Sequence, residues 1–192
     1  MSQRVSTLLA TATVAASLMC GAGEARAQLI DEVRVGLLDH DTGFIGSSKE
    51  DGVDLAIEAF SQPIEALDFI GSPRVVVGAI VNSENQTNQI YAGLTAQWMF
   101  ADDVFHADDG FYVEGLVAVA YHDGKVDVRS TPEDAEWKSH GSEFLFRTGF
   151  GVGYRFNETW SLTATFAHIS NANLAQPNQG ANDVGLRLGM RF

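Results

Sequence analysis

The sequence predicts an all-β protein, an eight-stranded antiparallel transmembrane β-barrel of the bacterial outer membrane. Three observations carry this. Eight segments alternate apolar and polar residues with period two, the signature of strands with one apolar face. The 192-residue chain holds 19 glycines and 12 phenylalanines but only 19% charged residues. The sequence given ends on Phe192, inside its last alternating segment, in the manner of bacterial outer-membrane proteins.

The first three strands are expected at about 31–39, 52–60 and 74–82, where the alternation is weaker. The fourth runs from Gln89 to Phe100, with Ile90, Leu94, Trp98 and Phe100 opposing Tyr91, Gly93, Thr95 and Gln97. In the fifth, Phe111 to His122, Val113, Val117, Val119 and Tyr121 oppose Tyr112, Glu114, Leu116 and His122. The sixth, Glu143 to Phe156, splits most sharply: Phe144, Phe146, Phe150 and Val152 against Arg147, Gly149, Gly151 and Gly153. The seventh covers about 159–170. The eighth sets Val184, Leu186, Leu188, Met190 and Phe192 against Asp183, Gly185, Arg187, Gly189 and Arg191.

Ahead of these strands lies a different kind of segment. Arg4 supplies a positive start, Leu8 to Met19 an apolar stretch, and Ala25-Arg26-Ala27 an A-x-A cleavage site. Residues 1–27 read as a secretory signal peptide, leaving 28–192 as a single barrel domain. Cleavage removes Cys20, the only cysteine, so no disulfide framework is expected. Acylation of Cys20 is the alternative, but Met19 is bulkier than the residue such a site needs. A net charge of −13 excludes a nucleic-acid partner, because nothing neutralises phosphates.

Eight such strands close in two ways: a soluble lipocalin-like barrel with its apolar face inward, or a membrane barrel with that face outward. The glycines lie mostly on the polar face, as a narrow lumen requires. Phe60, Trp98, Phe100, Phe111, Tyr154, Phe156, Trp160 and Phe192 fall near one rim, like an interfacial girdle. With the C-terminal Phe192, these features favour the membrane. With both termini periplasmic, the 40–51, 123–141 and 171–181 segments become extracellular loops. Arg34, Asp54, Glu58, Glu114, Glu143, Arg147, Arg155, Arg187 and Arg191 are then expected to pair inside the lumen, where an unpaired charge is costly.

One constellation departs from a purely structural barrel. The lipid-facing parity of the seventh strand continues past Phe166 to His168 and Ser170, which lie on one face about 6–7 Å apart. That spacing suits a nucleophile and its general base. The same parity of the eighth strand counts back to Asn182, near the same rim. Asp183 has the opposite parity and points into the lumen. His40, His106, His122 and His140 are scattered without ligand spacing, so no metal site is expected. At this level two readings stand: an esterase acting on lipid, or interfacial residues of a non-catalytic structural or adhesive barrel.

The wider pattern narrows the choice. His168-Ile169-Ser170-Asn171-Ala172, then Gln176-Pro177-Asn178-Gln179-Gly180-Ala181-Asn182 and a final strand, resembles the outer-membrane lipid A 3-O-deacylase (PagL-type) family. The resemblance implies an eight-stranded barrel in the outer membrane and a serine esterase site on its lipid-facing exterior. It implies lipid A of lipopolysaccharide as substrate and no cofactor. Ser170 would be nucleophile, His168 base and Asn182 the third triad member, with the Asn171 side chain and the Asn173 backbone N–H as oxyanion hole. A homodimer is compatible with it. The chain departs from the family twice: Asn182 stands where a glutamate is usual, and Asn173 where glycine is. The non-catalytic barrel, including a pseudoenzyme, remains the alternative.

Overall fold

The computed structural model describes residues 29–128 and 134–192; the expected leader lies outside the described residues. Eight strands follow in order: β1 (Glu32–Asp39), β2 (Val53–Phe60), β3 (Arg74–Asn82), β4 (Gln89–Asp102), β5 (Gly110–His122), β6 (Phe144–Arg155), β7 (Trp160–Ser170) and β8 (Ala181–Arg191). Each pairs antiparallel with the next, and β8 pairs with β1, so the sheet closes on itself. Closure leaves no edge strand with unpaired backbone groups.

The parity that closure imposes is the one expected. Leu37, Leu55, Val77, Val117, Val119, Phe150 and Leu186 lie exposed on the outer wall. The inside is part apolar, with Leu38, Val76, Ile80 and Leu116 buried in one cluster, and part ionic. Arg34 binds Glu32 at 2.6 Å and Glu114 at 2.7 Å, and Arg147 binds Asp183 at 2.9 Å and Gln89 at 2.9 Å. Removing one partner from such a pair costs about 3–5 kcal/mol, because the other charge is left buried. Two tyrosines complete the filling, and glycines make room for them. A Cβ on Gly78 would lie 2.3 Å from the Tyr91 ring, and one on Gly153 would lie 2.2 Å from that of Tyr112.

Three inward or rim expectations are corrected. Phe60 is buried in the lumen, its ring 4.4 Å below the Arg34 guanidinium and 5.2 Å from that of Arg74. It shares the parity of Asp54 and Glu58, and that outweighs its position at a strand end. Glu143 is exposed, because β6 starts one residue later and leaves it in the preceding loop. Arg155 is only half-buried and has no ion pair among the described residues, whereas Arg191, also half-buried, pairs as expected, with Glu32 at 3.2 Å and Asp31 at 3.3 Å. Four of the seven remaining rim aromatics cluster: Phe111 stacks on Phe100 at 6.1 Å and meets Tyr154 at 4.8 Å, and Tyr154 meets Phe156 at 5.2 Å.

The two long turns at that rim are ordered by local contacts. Residues 61–73 fold a short 3-10 segment, Glu65–Ile70, ended by Gly71 in the left-handed region at φ 90°. In 103–109 the Asp109 carboxylate accepts the N–H groups of Val104, Phe105 and His106. Burial would raise its pKa, but the hydrogen bond from the Tyr154 hydroxyl, with these backbone N–H groups, holds it below the usual carboxylate range.

Candidate active site

The opposite rim carries four loops, L1 (40–52), L2 (83–88), L3 (described over 123–128 and 134–143) and L4 (171–180). Beside L4, β7 ends with His168 and Ser170 half-buried on the outer wall, flanked by the inward Ala167 and Ile169. In the register of the last hairpin His168 lies opposite Asn182. The imidazole Nδ1 is 2.8 Å from Asn182 Oδ1. β8 starts at Ala181, so Asn182 is fixed by strand pairing rather than by a loop.

The orientation of the Asn182 amide decides what the imidazole can do. L1 folds down against the outer wall: Thr42 N–H donates to the Asn182 carbonyl at 2.9 Å, and the Phe44 ring lies 5.9 Å from Phe166. The carbonyl of Ile45 then accepts from Asn182 Nδ2 at 2.5 Å. With the NH₂ committed to a carbonyl, the amide oxygen must face the ring, so Nδ1 carries its proton and Nε2 keeps its lone pair. Asn182 is 0% exposed under this cover. Gly180 closes the other side. A Cβ there would lie 2.6 Å from His168 Cε1, so only glycine lets L4 pass beneath the ring.

Ser170 shares the outward face with His168, but the two are not hydrogen-bonded, and its hydroxyl has no partner among the described residues. In unliganded sites such bonds are often loose and tighten with substrate. Asp183 lies inside the lumen with Arg147 and takes no part.

The chain turns sharply after Ser170. Ala172 and Asn173 both adopt the left-handed region, at φ 53° and 62°. For Ala172 this is strained by about 1–2 kcal/mol, whereas asparagine enters the region readily. Their backbone N–H groups have no partner among the described residues and are the free donors next to Ser170. Asn171 behaves differently from the expectation. Its Nδ2 donates to the carbonyls of His140 (2.8 Å), Ala175 (3.1 Å) and Pro177 (3.0 Å). The amide NH₂ is spent on shaping L4, because three carbonyls converge on its two hydrogens. Asn178 accepts from Asn171 N–H at 3.0 Å and donates to Asn173 Oδ1 at 3.1 Å, clipping the two ends of L4 together. Its role was not assigned from sequence, although it stands inside the motif.

Beneath the loops lies an ionic knot. His40 binds Glu50 through Nε2 and Asp54 through Nδ1, both at 2.9 Å, with Asp183 3.8 Å away. His40, Asp54 and Asp183 are close enough to hold a cation. Both ring nitrogens are at hydrogen-bond distance from carboxylates, however, so the imidazolium itself is the cation there. Burial would push the His40 pKa down, but the bonds to Asp54 and Glu50 outweigh it and hold it up at about 10. Burial would raise Glu50, and its bonds to His40 and the Lys138 N–H hold it low instead. His140 is pushed down to about 4 by burial and by His122, whose ring is 4.6 Å away.

These shifts set opposite limits on loop stability. The His40 contribution is complete below pH 6.5, its ordinary value, and is lost as pH rises through about 10. The Glu50 and His140 contributions hold above their ordinary values, 4.5 and 6.5, and are lost as pH falls through the lowered ones. Protease resistance of L1 and L3 is therefore expected to peak near pH 6–7. His40→Asn should lower that peak and flatten its alkaline limb; an unchanged limb would count against the knot.

The sequence matches the model of the family described as lipid A 3-O-deacylase (PagL) over residues 71–191, more than half of the chain. No curated protein matches it significantly. Among solved structures, the crystal structure of the outer membrane enzyme PagL aligns with TM-score 0.59 at 15% identity, covering 84% of this chain and 99% of that one. The N-terminal β-barrel domain of Pseudomonas aeruginosa OprF aligns with TM-score 0.45 at 11% identity, covering 85% and 98%. The match to residues 71–191 spans His168, Ser170, the L4 motif and Asn182, and on it the chain belongs to the PagL family of lipid A 3-O-deacylases.

Proposed function

We propose that this protein is a serine esterase of the outer membrane that removes the ester-linked acyl chain at the 3-position of lipid A. The observation that carries the reading is the His168–Asn182 pair on an apolar outer wall, with its amide oriented so that Nε2 is a free base. A base facing the outside of a barrel serves a substrate that arrives laterally, through lipid.

His168 Nε2 takes the Ser170 proton as Oγ attacks the ester carbonyl. The oxyanion is met by the Asn173 N–H, presented by the turn that Asn171 and Asn178 shape. Collapse expels the sugar 3-oxygen, which recovers the proton from His168. Water, activated by the same base, then releases the fatty acid and restores Ser170. Asn182 keeps the ring in its productive tautomer throughout. The reaction needs no metal or organic cofactor.

In this reading residues 1–27 are a cleaved leader, 28–192 form the barrel, both termini are periplasmic, and L1–L4 face outward beside lipopolysaccharide. Mass spectrometry of lipid A incubated with the purified barrel in detergent is expected to show loss of one acyl chain and its recovery as free fatty acid. An unchanged acyl pattern in the presence of folded barrel would overturn the proposal.

A further inference from the structure

Lys138 in L3 is a lysine only 3% exposed, where an ammonium needs three acceptors to be tolerated. It has them. Nζ donates to the carbonyls of Ser47 in L1 at 2.5 Å and Gly180 in L4 at 2.7 Å, and pairs with Asp41 Oδ1 in L1 at 3.0 Å. Its backbone N–H goes to Glu50 Oε1, also in L1, at 2.9 Å. One cation from L3 thus gathers the other two loops that flank the site.

Both gathered loops end on the catalytic pair. Ser47 is two residues from Ile45, whose carbonyl fixes the Asn182 amide. Gly180 is the glycine packed beneath the His168 ring. Lys138 itself touches none of His168, Ser170 and Asn182.

The amide makes this more than loop cohesion. An asparagine offers an imidazole either its oxygen or its NH₂. The wrong face would donate to Nδ1 and put the proton on Nε2, which removes the base. A carboxylate has no wrong face. A chain with asparagine at this place therefore depends on whatever holds the Ile45 carbonyl still.

We propose that Lys138 is a positioning residue of the active site: by tying L1 to L4 it keeps the Ile45 carbonyl on Asn182 and so fixes the tautomer of His168. The proposal rests on the esterase reading for its kinetic consequence, and on geometry alone for its tautomer consequence.

The test is Lys138→Met, which keeps the stem and removes the donors, made alone and with Asn182→Asp. Alone, it is expected to lower kcat for lipid A hydrolysis on the order of 10²-fold with KM nearly unchanged. Combined with Asn182→Asp, the same change is expected to cost less than about threefold, because a carboxylate orients the ring without help. Lys138→Arg should recover part of the loss. Equal losses in both backgrounds, or none in the first, would overturn the proposal. Lys138→Gln serves as the second variant, with heat-dependent gel mobility confirming a folded barrel.

Nitrogen NMR of His168 separates this proposal from the esterase reading. The Nδ1–H tautomer is expected in the unaltered chain and a shift toward Nε2–H in Lys138→Met, whether or not lipid A is hydrolysed. An unchanged tautomer would sink the positioning role. A shifted tautomer with no hydrolysis by the unaltered chain would sink only the esterase reading.

Discussion

Ser170→Ala is expected to abolish lipid A deacylation, with a loss on the order of 10⁴–10⁶-fold, while the barrel folds as before. Both halves of that statement come from the same place in the structure. The hydroxyl is the nucleophile of the proposed reaction; the other hydroxyl beside His168, that of exposed Thr148 across the β6–β7 pair, is secondary and lies away from the turn whose N–H groups are to meet the oxyanion. Yet among the described residues the Ser170 hydroxyl makes no hydrogen bond, and Ser170 is half-exposed at the end of β7. Its removal therefore leaves no buried group unsatisfied and no cavity in the lumen. The measurement is acyl release by mass spectrometry, with heat-dependent gel mobility as the folding control. Retained activity in a folded variant would move the nucleophile elsewhere, and would favour the non-catalytic reading of the motif.

Strand parity was the most legible part of this fold. A closed barrel gives each residue two options, lumen or outer wall, and alternating Phe146, Arg147 and Phe150 with glycines leaves little ambiguity about which is which. The errors fell where parity competes with another rule. Phe60 is aromatic and ends a strand, which suggests a girdle, but its parity puts it beneath two guanidiniums. Glu143 has lumen parity but lies one residue outside β6. The same counting placed His168, Ser170 and Asn182 on one outer patch, because all three belong to paired strands.

What could not be read was everything that depends on loops meeting. The bond from Asn182 to Ile45 spans 137 residues, and that from Lys138 to Ser47 spans 91. No periodicity links such positions, since L1, L3 and L4 have no repeating pattern to count. The family motif likewise suggested a use for the Asn171 amide without revealing three carbonyls already waiting for it. Local chemistry named the residues; only the folded loops say which atoms remain free.

The second large effect concerns Asn182. Asn182→Leu keeps the volume but leaves the imidazole without an orienting acceptor and the Ile45 carbonyl without its donor, so kcat is expected to fall about 10³–10⁴-fold. In a serine protease, exchanging the triad acid for its amide costs about 10⁴, largely because the amide stabilises the wrong tautomer. Here that part of the penalty is absent, since the Ile45 carbonyl already turns the amide oxygen toward His168. Only the missing charge remains, and a carboxylate would supply it by stabilising the imidazolium formed during attack. Asn182→Asp is therefore expected to raise kcat by about tenfold, far less than the protease comparison suggests. The opposing term is repulsion between the new carboxylate and the Ile45 carbonyl, which lies at hydrogen-bond distance. Relieving it requires Ile45 and Gly46, both exposed, to move outward against the anchor that Lys138 places on the Ser47 carbonyl. A gain in kcat with faster proteolysis within L1 would identify charge as what this chain lacks. A loss would mean that the loop contact contributes more to the transition state than the charge does, so that the amide and L1 act as one unit.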